Sequence, residues 1–312
     1  VRQEVAAMSL FLIRGALEQG LLYSLVALGL YMSYRTLDIA DLTVDGSFTL
    51  GAAVSAALTA AGHPFAAIPC AVFAGSAAGL ATALLQTKLR VQSILAGIIT
   101  MTALYSVNLK VMGGRSNLAL LRLETVFSAF KKILSPALAP YSKLILAAAA
   151  AIFAAAAVAF FLRTRLGLSI RATGDNRRMV SASSINPEFT IAVGLCAANA
   201  LTAASGALVA QYQQFCDITM GTGMVVIGLA SLIIGEVITG ASRFPSVRRG
   251  VIAAVAGGGI YWLLIAGAIS SSVSANDLKL LSAVIVAAAI SWPTVISKVQ
   301  FAAKKRRGRR QC

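Results

Sequence analysis

Residues 20–56 read GLLYSLVALGLYMSYRTLDIADLTVDGSFTLGAAVSA. The opening part is apolar without a break and completes a run from roughly Leu10 to Tyr34. That length exceeds the ~20 residues an α-helix needs to cross ~30 Å of hydrocarbon. The middle, RTLDIADLTVDGSF, carries Asp38, Asp41 and Asp45 and is too polar to lie in lipid. It runs directly into a short stretch of small residues, Thr49–Ala61. A polar break flowing into a short apolar run reads as a broken or re-entrant element, because irregular backbone at membrane depth is tolerated only where protein or a cavity covers it. Asp45-Gly46-Ser47 suits a tight turn and a cap for the following helix. The alternative for the three aspartates is contact with a cationic group or with a partner protein.

The rest of the chain has the same character. It is 58% hydrophobic and only 12% charged, with a mean hydropathy of +0.82. Soluble domains carry about 25% charged residues, so a water-facing surface is excluded. Lipid leaves the helix bundle and the closed barrel; barrel strands alternate over short segments, and these runs are continuous. The expectation is an all-α polytopic transmembrane helix bundle. Further spans fall at Pro64–Leu84, Ile94–Met112, Leu144–Phe161, Thr190–Val209, Met224–Ile238, Val251–Ala268 and from Asp277 to about Val295. Counting Thr49–Ala61 gives nine crossings with the N-terminus outside; a re-entrant Thr49–Ala61 gives eight with the N-terminus inside. The expected organisation is one transmembrane domain, 1–300, and a basic cytosolic tail, 301–312. Gly75 and Gly79 within GSAAG form a small-xxx-small pair suited to close helix contact. The stretch 113–140 is the longest without a span, and LRLETVFSAFKKILS within it has the spacing of an interfacial amphipathic helix.

The net charge is +16. The basic residues cluster between apolar runs (Lys88 and Arg90; Arg163, Arg165, Arg171, Arg177 and Arg178; Arg243, Arg248 and Arg249) and in the terminal KKRRGRRQC. This marks cytoplasmic loops rather than a nucleic-acid surface, and the tail suits anionic lipid. Lys131 and Lys132 dissent, since they fall on the outer side. Arg14 and Glu18 stand at i,i+4 spacing and suit a structural ion pair, with a place on the solute path as the alternative for Glu18. Glu236 suits a tether to Arg243 or Arg248. The four cysteines lie far apart and His63 is the single histidine, so no metal site is expected. There is no GxxxxGK[ST] loop, HExxH or GxSxG, so the chain itself is expected to bind no cofactor and to catalyse nothing.

Residues 163–211 resemble the cytosolic loop and following helix of the bacterial branched-chain amino-acid ABC permeases. The matching elements are Thr164–Gly167, Arg171–Ala172, Ala182–Asn186 and Ser205–Leu208, the last with serine where the pattern has alanine. Residues 20–56 resemble that family's first helix and the segment after it. The Asp41–Val54 block, DLTVDGSFTLGAAV, is similar to a subgroup described as tryptophan/tyrosine-type. The likeness spans roughly residues 12–295. It implies a permease subunit of an importer in the bacterial inner membrane, moving a small solute of the amino-acid class, with aromatic amino acids among the candidates. It also implies a second permease copy forming a homodimer, two cytosolic ATPase subunits that hold ATP and magnesium, and an extracytoplasmic solute-binding protein. A different solute class and ion-coupled secondary transport are the alternatives.

On this resemblance Arg171–Ile185 is the coupling helix that docks in the ATPase. Arg171, Asp175, Asn176, Arg177, Arg178, Ser184 and Ile185 form its contact set, with Asp175 or Asn176 as its cap. A solvated basic loop that only fixes topology is the alternative. Path candidates are the polar or small residues on or beside spans: Glu18, Asp45, Thr102, Asn108, Asn199, Ser205, Gly221 and Gly223. Each can equally hydrogen-bond a neighbouring helix.

Overall fold

The computed structural model describes residues 2–240 and 246–270, and beyond them only the single positions 283, 284, 287 and 291. The first helix, α1 (Arg2–Leu30), widens into a π-helical turn, Tyr31–Thr36, that carries Arg35 next to its last residue. The chain then reverses. Asp38 takes a left-handed conformation with φ of 55°, which aspartate tolerates better than most residues. Asp41 Oδ1 accepts from the N–H of Thr43 at 2.9 Å, and there α2 (Thr43–Ala60) begins.

The following helices are α3 (Pro64–Thr87) and α4 (Ser93–Val111). A strand, β1 (Asn117–Ala119), a short α5 (Val126–Ile133) and α6 (Ser142–Phe161) come next. The basic loop folds as two short helices, α7 (Arg165–Asp175) and α8 (Arg177–Ala182). The long α9 (Pro187–Gln213) leads to β2 (Phe215–Asp217), then α10 (Met224–Thr239) and α11 (Val247–Ser270). β1 and β2 pair antiparallel, Leu118 opposite Cys216, and tie the α4–α5 and α9–α10 connections together.

α9 is the axis of the bundle, with 67% of its span buried. α2 runs beside it in the same direction, since Ser47 reaches Asn199 and Ser55 reaches Ala207. Backbone meets backbone along this line. A Cβ on Gly51 would lie 2.0 Å from the carbonyl oxygen of Ala203, and one on Gly206 would lie 2.0 Å from that of Phe48. Gly75 and Gly79 of α3 meet Asn199 and Leu195 of α9 in the same way. Small residues let helices approach this closely, which replaces the hydrophobic drive that lipid cannot supply. On the other side Tyr23 of α1 stacks between Phe48 and Trp262, with centroids at 5.7 and 4.8 Å.

The expectation of eight or nine spans is corrected. Among the described residues, six helices are long and apolar enough to cross a membrane: Phe11–Thr36, Pro64–Thr87, Ser93–Val111, Ala139–Phe161, Pro187–Gln213 and Val247–Ile269. α2 is not one of them. Its first turns carry Thr43, Asp45, Ser47 and Thr49, and it is sheathed by α3, α4 and α9 rather than by lipid. The apolar α10 has 16 residues and is also too short. Counting every apolar run as a crossing therefore overstated the number. The ninth expected span, the basic tail and Arg243 lie outside the described residues.

Candidate translocation site

α2 begins well inside the bundle. Ser47 faces Asn199, which stands 12 positions after Pro187, or roughly 18 Å along α9 from its start. α10 begins at a similar depth. The carboxylate of Asp45 accepts from Gly223 N and Val225 N, both at 2.9 Å. It thereby caps α10 from the first turn of α2, where a negative charge is favoured on both counts. Gly223 is the N-cap of α10, with φ of 86° that favours glycine. Gly221 is also required, because a Cβ there would lie 1.9 Å from the carbonyl oxygen of Asp45.

A cavity of about 280 Å³ opens beside this junction. Its walls are Asp45, Gly46 and Thr49 of α2, Met101, Thr102, Tyr105 and Asn108 of α4, and Ile218 and Thr222 of the segment entering α10. Small-molecule sites span about 300–1,000 Å³, so this one has the scale of a single small solute. Asn108 donates from Nδ2 to the Gly46 carbonyl at 3.3 Å, while its Oδ1 is buried with no partner among the described residues.

Three of the path candidates from sequence, Asp45, Thr102 and Asn108, line this one cavity, and Gly221 and Gly223 shape its floor. The others lie elsewhere. Asn199 joins Ser47 Oγ, at 2.7 Å, to Asp41 Oδ2, at 2.7 Å. Ser205 Oγ donates to the Leu22 carbonyl at 2.8 Å. Glu18 accepts from Arg14 Nε at 3.0 Å and from Tyr212 OH at 2.9 Å, where α1 meets the end of α9. Thr49, Met101 and Tyr105 escaped sequence reasoning because nothing local distinguishes a wall residue from a lipid-facing one.

At the end of the bundle formed by the basic loop, α7 and α8 bend at Asn176. Its Oδ1 accepts from Arg178 N and Met179 N, both at 3.1 Å, and so starts α8. Arg177 and Arg178 are exposed, as is Met179. Ser184 sits in the left-handed region with φ of 61°, and Ile185 N donates to the Val180 carbonyl, closing the segment. Gly174 brings α7 against the carbonyl of Thr36. Arg171 and Asp175 share a cavity of about 270 Å³ with Arg35 and Glu236. Arg35 Nε meets Glu236 Oε1 at 3.0 Å. Of the two partners expected for Glu236, Arg243 is outside the described residues, and Arg35 takes the place expected for Arg248.

A match to the family described as "Branched-chain amino acid transport system / permease component" covers residues 12–289. The chain belongs to this family. It is 36% identical over 271 residues to a tyrosine transport system permease protein of Clostridioides difficile (strain R20291), covering 86% of this chain and 87% of that one. It is also 38% identical over 221 residues to an uncharacterised protein of Rickettsia prowazekii (strain Madrid E), covering 71% and 75%. No solved structure matches. The subunit is thus a multi-pass permease component of a bacterial inner-membrane ABC importer for a small solute, and it does no covalent chemistry. Membership in the family generally implies a complex of permease, ATPase and binding protein, with ATP used by the ATPase.

Proposed function

We propose that this permease moves an amino acid, preferentially an aromatic one, through the cavity between α2, α4 and the start of α10. The observation that carries the reading is the unpartnered, buried Oδ1 of Asn108 beside the Asp45 carboxylate. A buried acceptor left without a donor costs about 1–3 kcal/mol. An α-ammonium group supplies that donor and complements Asp45 once α4 gives it access. Tyr105 and Met101 offer the flat and polarisable surfaces that suit an aromatic side chain. The name of the Clostridioides difficile relative supports the same solute class.

The subunit acts as a homodimer. Two ATPase subunits dock on the α7–α8 elbow through Arg171, Asp175, Asn176, Arg177, Arg178, Ser184 and Ile185, and a solute-binding protein delivers from outside. The path runs past Asp45, Thr102 and Asn108. Glu18, Asn199 and Ser205 hold helices together beside it.

The test is ATPase activity of the purified complex, reconstituted with its ATPase and binding protein and offered a panel of amino acids. Stimulation by tyrosine, tryptophan or phenylalanine above the aliphatic residues is expected. Asn108→Leu should cut the stimulated rate roughly tenfold, the equivalent of one lost buried hydrogen bond. Equal stimulation by all amino acids would remove the aromatic preference, and none at all would remove the amino acid.

A further inference from the structure

A second polar cavity lies at the opposite end of the molecule from α7 and α8, independent of the solute path. It measures about 350 Å³ and opens between α1, α5 and the start of α6. Arg14, Lys131 and Lys143 stand in its wall against one carboxylate, Glu18, which leaves an excess of two positive charges (three minus one). Glu18 is already engaged by Arg14 and Tyr212. Lys143 Nζ rests 4.7 Å over the Tyr212 ring. Lys131 meets no carboxylate among the described residues, whereas its neighbour Lys132 is paired with Glu124. These cations lie on the outer side, where the bias toward cytoplasmic lysine and arginine gives no account of them.

The cavity does not end there. Phe11 and Gly15 also line an adjoining, mainly apolar groove of about 180 Å³ between α1 and α11, walled by Leu12, Ala16, Gln19, Trp262, Ile265 and Ile269. The junction is open at Gly15, where an added Cβ would meet nothing within 4 Å. The spans Phe11–Thr36 and Ala139–Phe161 both start at this level, which sets the cations at headgroup depth, and the groove runs beside them on the next face of α1. A cationic pocket that opens sideways into a mainly apolar groove complements one amphiphile. We infer that this site binds an anionic phospholipid of the outer leaflet, its phosphodiester between Lys131 and Lys143 and one acyl chain along the groove. An acidic face of a docking protein would match the charges and leave the groove without a role.

The full-length permease, purified in mild detergent, is offered phosphatidylglycerol or phosphatidylcholine with identical acyl chains, and bound lipid is counted by native mass spectrometry. Retention of phosphatidylglycerol over phosphatidylcholine is expected. Each basic residue at an anionic surface is worth roughly fivefold in affinity, so Lys131→Gln with Lys143→Gln should weaken retention about twenty-five-fold. Lys132→Gln, whose lysine is spent on Glu124, should leave it unchanged. Gly15→Phe, which fills the junction without altering a charge, should also displace the lipid. Equal retention of the two lipids, equal loss in Lys132→Gln, or undiminished binding in Gly15→Phe would overturn the site. So would salt-sensitive capture of the binding protein by Lys131 and Lys143 without any lipid preference.

Discussion

The carboxylate of Asp45 belongs to the first turn of α2 and is bonded to the first turn of α10. Its neighbours in sequence, Gly46 and Ser47, announce a cap for the helix that follows; a bond to a segment 178 residues away cannot be read from spacing. Asp45→Ala should cost about 1–2 kcal/mol, the usual range for a lost N-cap, and Asp45→Asn less, because one acceptor oxygen remains. Thermal unfolding of the detergent-solubilised protein measures both. Cys216 offers a second check. Burial, reinforced by the charge of Asp217, pushes its thiol up to about 12. At pH 8 the reactive thiolate is then about one part in ten thousand. Maleimide labelling of Cys216 should be negligible in the folded protein and rapid in denaturant; rapid labelling of the native state would show that the β1–β2 ribbon opens.

At the scale of elements, α2 and α9 set the difference between what was legible and what was not. The apolar runs that became α3, α4, α6 and α9 were read as spans because length and composition decide that question. α2 and α10 share the composition but not the environment, and enclosure by other helices leaves no mark on a run of alanine, glycine and valine. The interfacial α5 was readable from its spacing: Val126 and Phe127 are buried while Lys131 and Lys132 are exposed. So was the close approach of α3 at Gly75 and Gly79, although composition alone would give similar pairs elsewhere. Only coordinates identify Gly206 as a point of contact between backbones. Gly206→Ala should abolish stable folding, since Phe48 and its helix would have to move. Gly259→Ala, on α11 with nothing within 4 Å of the added Cβ, should be neutral or stabilise by up to about 1 kcal/mol. Yields of monodisperse protein by size-exclusion chromatography separate the two.

For the whole molecule, a chain of contacts joins the polar end at α7 and α8 to the cavity. The α7–α8 elbow touches the end of α1 at Thr36, Arg35 of that turn holds Glu236 of α10, and the other end of α10 is held by Asp45 at the cavity. The basic loop and its caps were visible in sequence because charge and asparagine are local signals; the pairing of Arg35 with Glu236 was not. Val180→Pro, which removes the N–H bonded to the Asn176 carbonyl, should break α8 at a cost of about 3 kcal/mol to that helix, and reduce solute-stimulated ATPase to the basal rate while leaving the bundle folded by circular dichroism. Stimulation that survives would detach the elbow from the ATPase. The close contacts of α2 with α3 and α9 carry one mechanical implication. Surfaces joined through backbone atoms have no side chains to rearrange, so they move as a single block. α4 is held less deeply: 28% of its span is buried, and it meets the start of α2 through Leu104 and Met101 against Gly46, Gly97 against Leu42 and the Asn108–Gly46 hydrogen bond. Of the two sides of the cavity, the α2 side is therefore expected to act as stator and α4 as shutter. Cysteines placed at Thr49 and Tyr105 and joined by a short bifunctional reagent should lock the shutter and stop turnover, whereas the same reagent across Ser55 and Ala207, inside the stator, should leave turnover intact.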